Sequence, residues 1–415
     1  MTDQPEPGRP DVPRLTTREA AELLGVKPET VYAYVSRGQL SSERAAGGRG
    51  STFDADEVRA LARRSGRREP SPAGGDLVFR TGITLIEQDR YYFRGVDATE
   101  LARNHSYEEV AEWLWTGELR PGVRFTAPSE TLAAARRTVG ALPAHSGSTD
   151  RLRVAVTAAA ATDPLRFDLS PGAVLSSARS LIPTLVGALP VLGSTEADGG
   201  SLARELWPRL TARLADAPAL AVLDAALALL IDHDLAASTL AARVAASARA
   251  HPYAVVSAGL GVLEGPLHGA ASGLAHRMLQ EAVDRGSAVP VVADHLRTGR
   301  PVPGLGHRLY RGEDPRARTL FALLEDVPQA AGALAAAREV VATTARHAPL
   351  HANIDLALAV LSVSCGMAAE AGETVFAVSR TAGWIAHALE EYGERPLRIR
   401  PSGQYTGPRP PRPAP

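Results

Sequence analysis

Two histidines and an aspartate stand in three short segments built for chemistry. GPLHGAASG (265–273) carries His268, PGLGHRLYRGEDPRAR (303–318) carries His307, and HANIDLALA (351–359) carries Asp355. A carboxylate can remove a weakly acidic proton, and imidazoles can donate hydrogen bonds to the oxyanions that develop beside it. Joining an acyl-CoA to a ketone needs that set: a proton leaves the carbon next to the thioester, the enol or enolate is held, and the ketone is polarised. A dicarboxylate substrate also calls for arginine, whose planar fork pairs bidentately with carboxylate. Arg316, Arg380 and Arg400 lie in short non-repetitive contexts suited to that task. Gly304 and Gly306, in PGLGH, would let backbone approach a bulky ligand closely.

The elements that must aim these side chains are helical. Alanine and leucine recur at helical spacing in 217–230, 320–334 and 354–367, with glycine and proline between the runs. Strand signals are confined to 77–93. The expected fold is mainly α, with the three segments at element ends and loops, where rigid helices can point them into one cleft.

Residues 13–66 form a separate pattern. Thr16 followed by Glu19 is a capping box, Gly25 ends the helix, and Pro28 restarts one whose apolar stripe is Val31, Tyr34 and Val35. A glycine- and arginine-rich hairpin follows, and Asp54 with Glu57 is expected to box a last short helix. This order resembles the winged helix-turn-helix modules of the MerR and excisionase type, which place a helix in the DNA major groove and a wing on phosphate. On that resemblance Thr30, Tyr32 and Tyr34 would face the groove, and Arg37, Arg44 and Arg49 would meet phosphate. A docking or dimer-stabilising unit is the competing use of the same geometry. Residues 1–12 read as a flexible lead, 67–75 as a linker rich in Gly, Pro and Ser, and 409–415 as a disordered tail.

Composition narrows the class further. A chain of 415 residues with 45% hydrophobic content can bury a large core. Its 45 basic and 46 acidic residues nearly cancel, so no global field marks a polyanion binder. A single cysteine, Cys365, rules out an internal disulfide and suits a cytoplasmic location. The polar, proline-rich start is unlike a signal peptide, and the most apolar run, 217–231, is too short to span a membrane.

From about Leu77 to Gly407 the chain resembles the citrate synthases. The segments above carry the likeness together with FRGVDATELARNHSYEEVAEWLWTGELRP, DHDLAASTLAARV, FAVSRTAGWIAHALEE and RIRPSGQYTG, in the family's order. The resemblance implies a catalytic domain over 76–408, made of a large and a small helical domain, the small one roughly 269–360. It implies Asp355 as the base, His268 as the holder of the thioester oxygen, and His307 as the group that polarises oxaloacetate. His233, Arg316 and Arg380 would bind oxaloacetate, joined by Arg400 across the interface of a homodimer with a shared active site. Gly304, Gly306, Arg308 and Arg311 would meet coenzyme A, which enters as the thioester substrate; no bound cofactor or metal is implied. The chain departs from the family's pattern at Leu230 and Ala236 around His233, at Ala270, and at Ala352, Leu356 and Ala357 around Asp355. Ser238 is left as the candidate partner of His268. His387 and Trp384 are expected to pack the fold.

Three functions follow from this reading. One is condensation of acetyl-CoA with oxaloacetate to citrate. The second is 2-methylcitrate synthesis from propionyl-CoA, since one methylene discriminates by only ~1–3 kcal/mol. The third is a DNA-binding metabolite sensor that retains the cleft.

Overall fold

The computed structural model describes residues 14–44, 50–64, 79–87, 89–194, 200–265, 268–269, 271–399, 401 and 406. The expected lead, linker and tail, with Arg49 and Arg400, lie outside the described residues. The chain divides into two compact units, Met1–Arg80 and Thr81–Pro415.

The first unit runs β1 (Arg14–Thr16), α1 (Thr17–Leu24), α2 (Pro28–Ser36), β2 (Ser42–Arg44), β3 (Ser51–Asp54) and α3 (Ala55–Arg64). Its antiparallel sheet has the order β1-β3-β2, with Leu15 opposite Phe53 and Glu43 opposite Thr52. Thr16 and Glu19 cap α1 reciprocally, and Pro28 opens α2 where no amide donor is needed. Ala20, Leu24, Val31, Leu40, Phe53 and Val58 close a small core. The expected box at α3 does not form. Asp54 does accept from the amides of Asp56 and Glu57, at 2.8 and 3.2 Å. Glu57 turns instead to Ser41, accepting from its N–H at 2.8 Å and its hydroxyl at 3.0 Å. The Ser41 amide stands just ahead of the wing ladder and needs a partner, and the carboxylate ties the wing to α3.

The second unit opens with a meander of β4 (Thr84–Glu87), β5 (Arg90–Phe93) and β6 (Val96–Asp97). Helices follow: α4 (Ala98–Asn104), α5 (Tyr107–Thr116), α6 (Ser129–Gly140), α7 (Ser148–Thr162), α8 (Pro171–Ala188) and α9 (Leu202–Leu210). Then come α10 (Ala217–Leu230), α11 (Ala237–Ser247), α12 (Pro252–Leu263), α13 (Ala271–Arg285), α14 (Val289–Arg297) and α15 (Pro315–Leu324). The last three are α16 (Ala331–Ala345), α17 (Ile354–Ser364) and α18 (Ala371–Tyr392). The mainly α expectation holds, with α10 matching its expected span. The run expected over 320–334 is interrupted: α15 stops at Leu324, and a 3-10 turn, Pro328–Ala330, precedes α16. Pro328 has no amide to continue the ladder, and Val327 before it is extended, as the proline ring requires.

Helix α18 is the axis of the unit, buried along most of its length from Ala371 to Glu391. Trp384 and His387 are buried within it, as expected. Gly259 on α12 makes the packing possible, because a Cβ there would stand 2.5–2.8 Å from the Trp384 ring. Cys365 is buried, and burial pushes its thiol up to about 11. Among the described residues no single helix is long and apolar enough to cross a membrane. Overpacking a filled core costs roughly 1–3 kcal/mol. Gly259→Ala should therefore lower the thermal midpoint of the full chain by several degrees, read by circular dichroism; an unchanged midpoint would show that α12 and α18 are not held this tightly.

Candidate active site

Chain ends of four helices and the middle of a fifth meet at one cavity of about 370 Å³. Its lining includes His233, His268, His307, Arg308, Arg316, Asp355, Phe376 and Arg380. His233 follows α10, which Asp216 caps through the Ala219 amide at 2.7 Å. Arg316 is in the first turn of α15, whose cap is Asp314. Asp355 is in the first turn of α17, where the Asn353 side chain accepts its N–H at 3.0 Å. A carboxylate at that position is favoured by the helix dipole.

The glycine loop is stitched to the segment before α17. Gly304 accepts from the Asn353 amide at 3.0 Å, Gly306 accepts from the Asn353 side chain at 2.9 Å, and Gly306 N–H donates to His351 at 2.8 Å. Gly304 has φ +79, and a Cβ there would lie 2.8 Å from that of Leu356. Its missing side chain thus admits α17. Gly304, Gly306 and Arg311 are not among the lining residues. Arg311 is exposed, and its N–H donates to Asp89 at 2.9 Å. Asp355 and His307 are placed together by this stitching.

Each imidazole is oriented. Ser238 and His268 Nε2 are 2.8 Å apart, the pairing anticipated from the sequence. His307 Nδ1 accepts from the Leu309 N–H at 3.1 Å, which assigns the proton of the neutral ring to Nε2. His233 Nε2 lies 2.7 Å from the Tyr310 hydroxyl, and its ring meets that of His307 edge-on at 5.0 Å. Burial, helped by Arg380, holds His268 down to about 4; burial, helped by Arg316, does the same for His307. Both are neutral at pH 7, so each ring keeps one N–H that can donate without carrying charge. Asp355 moves the other way: burial pushes it up to about 6 against the pull of Arg316. It is a carboxylate at pH 7, but a basic one.

Sequence reasoning did not single out Tyr310, Asp314 and Phe376. Asp314 grips Arg316 through Nε at 3.0 Å and Nη2 at 2.8 Å. Phe376 lies under the Arg380 guanidinium at 4.5 Å and meets His268 edge-on at 5.9 Å. Only Asp314 had a legible signal, as an acid two residues before an arginine at a proline-opened helix. Leu230, in place of a polar residue, contributes its carbonyl, which accepts from Arg380 Nε at 2.8 Å. In the first unit, Tyr34 is half-buried against the core, while Tyr32, Arg37 and Arg44 are exposed; Thr30 is half-buried. Among the described residues no group of three or more His, Cys, Asp or Glu is placed to hold a metal ion.

A carboxylate and two neutral imidazoles in one cleft of a helical unit fit an acyl-CoA condensing enzyme, and comparison with known proteins gives that class. Residues 74–402 match the family described as citrate synthase, C-terminal domain, and residues 14–66 match a helix-turn-helix domain. The citrate synthase of Haloferax volcanii is 33% identical over 362 residues, covering 80% of this chain and 94% of that protein. The 2-methylcitrate synthase of Shewanella oneidensis is 28% identical over 338 residues, covering 76% and 88%. The crystal structure of citrate synthase from Pyrobaculum aerophilum aligns with a TM-score of 0.69 at 26% identity, covering 82% of this chain and 92% of that one. The chain belongs to the citrate synthase family, and it is an enzyme of that type.

The raised Asp355 has a consequence for stability. Its folded value, about 6, lies above the ordinary 3.8, so the folded state holds the proton more tightly, and ionisation destabilises it. That loss develops as pH rises from about 4 to 6 and is complete above. Asp355→Asn should gain stability over the native chain progressively across this window and then level off, measured by urea unfolding from pH 4 to 8. A difference that does not change with pH would contradict the burial of a charged Asp355.

Proposed function

We propose that the chain condenses acetyl-CoA with oxaloacetate, giving citrate and free coenzyme A. The observation that carries this reading is a basic carboxylate, Asp355, sharing one cavity with two imidazoles that are neutral at working pH. Asp355 takes a proton from the carbon beside the thioester. The electron pair moves onto the carbonyl oxygen, which His268 stabilises by hydrogen bonding. The enol carbon then attacks the keto carbon, a C–C bond forms, and His307 Nε2–H supports the oxygen that gains charge. Water hydrolyses the resulting citryl thioester, releasing coenzyme A. General acid–base catalysis supplies roughly 10²–10⁴-fold, and removing a single oxyanion donor costs roughly 10²–10³-fold.

In this scheme His233, Arg316 and Arg380 hold the dicarboxylate. Gly304, Gly306, Arg308 and Arg311 border the coenzyme A site, with Arg308 at the cavity edge. Residues 269–360 form the small domain, bringing His307 and Asp355 to the His233 and Arg380 side as it closes. The enzyme works as a homodimer in the cytoplasm, Arg400 entering the site of the other subunit. Propionyl-CoA in place of acetyl-CoA would make it a 2-methylcitrate synthase, an activity carried by one of its relatives. For the N-terminal module we infer DNA as partner, supported by its helix-turn-helix match and by exposed Tyr32, Arg37 and Arg44; salt-sensitive retardation of duplex DNA tests it.

Initial rates of coenzyme A release with acetyl-CoA and propionyl-CoA, each with and without oxaloacetate, test the reading. Release should depend on oxaloacetate, rise through an acidic limb near pH 6 as Asp355 ionises, and fall by roughly 10²–10⁴-fold in Asp355→Asn. No release with either donor, or a fully active Asp355→Asn, refutes it; the ratio of the two rates names the donor. Mixing inactive Arg400→Ala chains with inactive Asp355→Ala chains should restore part of the activity if sites are shared, and none if Arg400 serves its own subunit.

A further inference from the structure

The two cavity arginines are in opposite electrostatic situations. Arg316 is neutralised at contact by Asp314, which takes two of its donors at 3.0 and 2.8 Å. Arg380 is 1% exposed, yet among the described residues no carboxylate forms an ion pair with it. Its Nε donates to the Leu230 carbonyl at 2.8 Å, its guanidinium lies over Phe376, and its Nη1 is buried with no hydrogen-bond partner. Burying a cation with no opposing charge is strongly unfavourable.

The opposing charge lies beside the same stretch of α18: a Cβ on Gly383, one turn after Arg380, would stand 3.3 Å from the Asp232 Cβ. Asp232, fully buried, has both oxygens engaged by neutral donors: Oδ1 by His387 Nε2 at 3.1 Å and Oδ2 by the Thr84 hydroxyl at 2.6 Å. His387 is neutral for a geometric reason. Arg243 Nη1 lies 2.8 Å from its Nδ1, and a guanidinium can only donate, so Nδ1 carries no proton and Nε2–H is given to Asp232. Asp232 therefore retains its whole negative charge. The charged and titratable groups acting on Arg380 are Asp232, Arg316 and Tyr91, with His233 and His268 facing it in the same cavity; burial brings Arg380 down to about 10, and Asp232 acts against that fall.

We infer that Asp232 is the counter-charge of Arg380, kept out of contact by His387 and Thr84, so that the guanidinium remains charged and keeps donors for a ligand carboxylate. Asp232 is thus a positioning residue that acts through Arg380, and its link to ligand rests on the proposed dicarboxylate role of Arg380.

The test is a double-mutant cycle on the full chain: Asp232→Asn, Arg380→Gln and the pair, read as thermal midpoints. Each single variant strands one buried charge and should lower the midpoint; the pair strands neither and should lie clearly above the sum of the two losses. The control pair of Thr84→Val with Arg380→Gln, which leaves the Asp232 charge in place, should be additive. If Asp232→Asn alone does not fold, rescue by the second substitution supports the pairing and a second failure overturns it. Oxaloacetate binding from pH 7 to 10.5 gives an independent readout. Asp232→Asn should lose binding at a pH at least a unit below the native limb near 10, and His387→Gln should not shift it. An additive cycle overturns the inference. A coupled cycle in a protein that binds no oxaloacetate leaves the counter-charge standing and refutes the ligand assignment.

Discussion

One buried carboxylate, Asp314, sets the geometry on which the cleft depends. Oδ1 accepts both the N–H and Nε of Arg316 at 3.0 Å, so it caps α15 and grips that arginine together. Oδ2 accepts Arg316 Nη2 at 2.8 Å and the Ile354 amide at 3.2 Å, which is the first amide of α17. Two helix starts and a cation are thereby pinned by four donors. Burial would raise this carboxyl, but Arg316 and the other donors hold it below the ordinary range. The result is that Asp355, next in chain to Ile354, cannot move without disturbing Arg316.

That arrangement explains how one cavity holds acids and bases of shifted character. The histidines lose basicity because they are buried and flanked by two guanidiniums. Asp355 gains basicity for the first of those reasons, and Arg316 limits the gain. One environment moves imidazole and carboxyl toward each other, leaving a base of about 6 facing donors of about 4. A proton can be taken at pH 7 while both imidazoles stay neutral.

Much of this was legible in the sequence because the reacting side chains sit in short segments whose neighbours are constrained. His233, His268, His307, Arg316, Asp355 and Arg380 do converge in the structure, and Ser238 does reach His268. What was hidden came from contacts between distant segments. Glu57 looked like half of a capping box, and only the folded wing offers it Ser41. The 320–334 run kept its apolar period through Pro328, so periodicity alone overran the break. Gly304 read as space for a ligand, whereas Leu356, some fifty residues later, fills that space. Tyr310 and Phe376 had no local signal, since only the fold brings the Tyr310 hydroxyl to His233 and the Phe376 ring to His268.

Cys365 gives the chain a practical property. The thiol is 1% exposed and holds its proton up to about 11, so it is a poor nucleophile toward alkylating probes. It is also the sole cysteine in 415 residues. A cysteine introduced on the surface would therefore react alone, with the native thiol left in place. Pairs of spectroscopic labels on either side of the cleft could then report distances in an otherwise unaltered protein, and every distribution measured would belong to the two chosen positions.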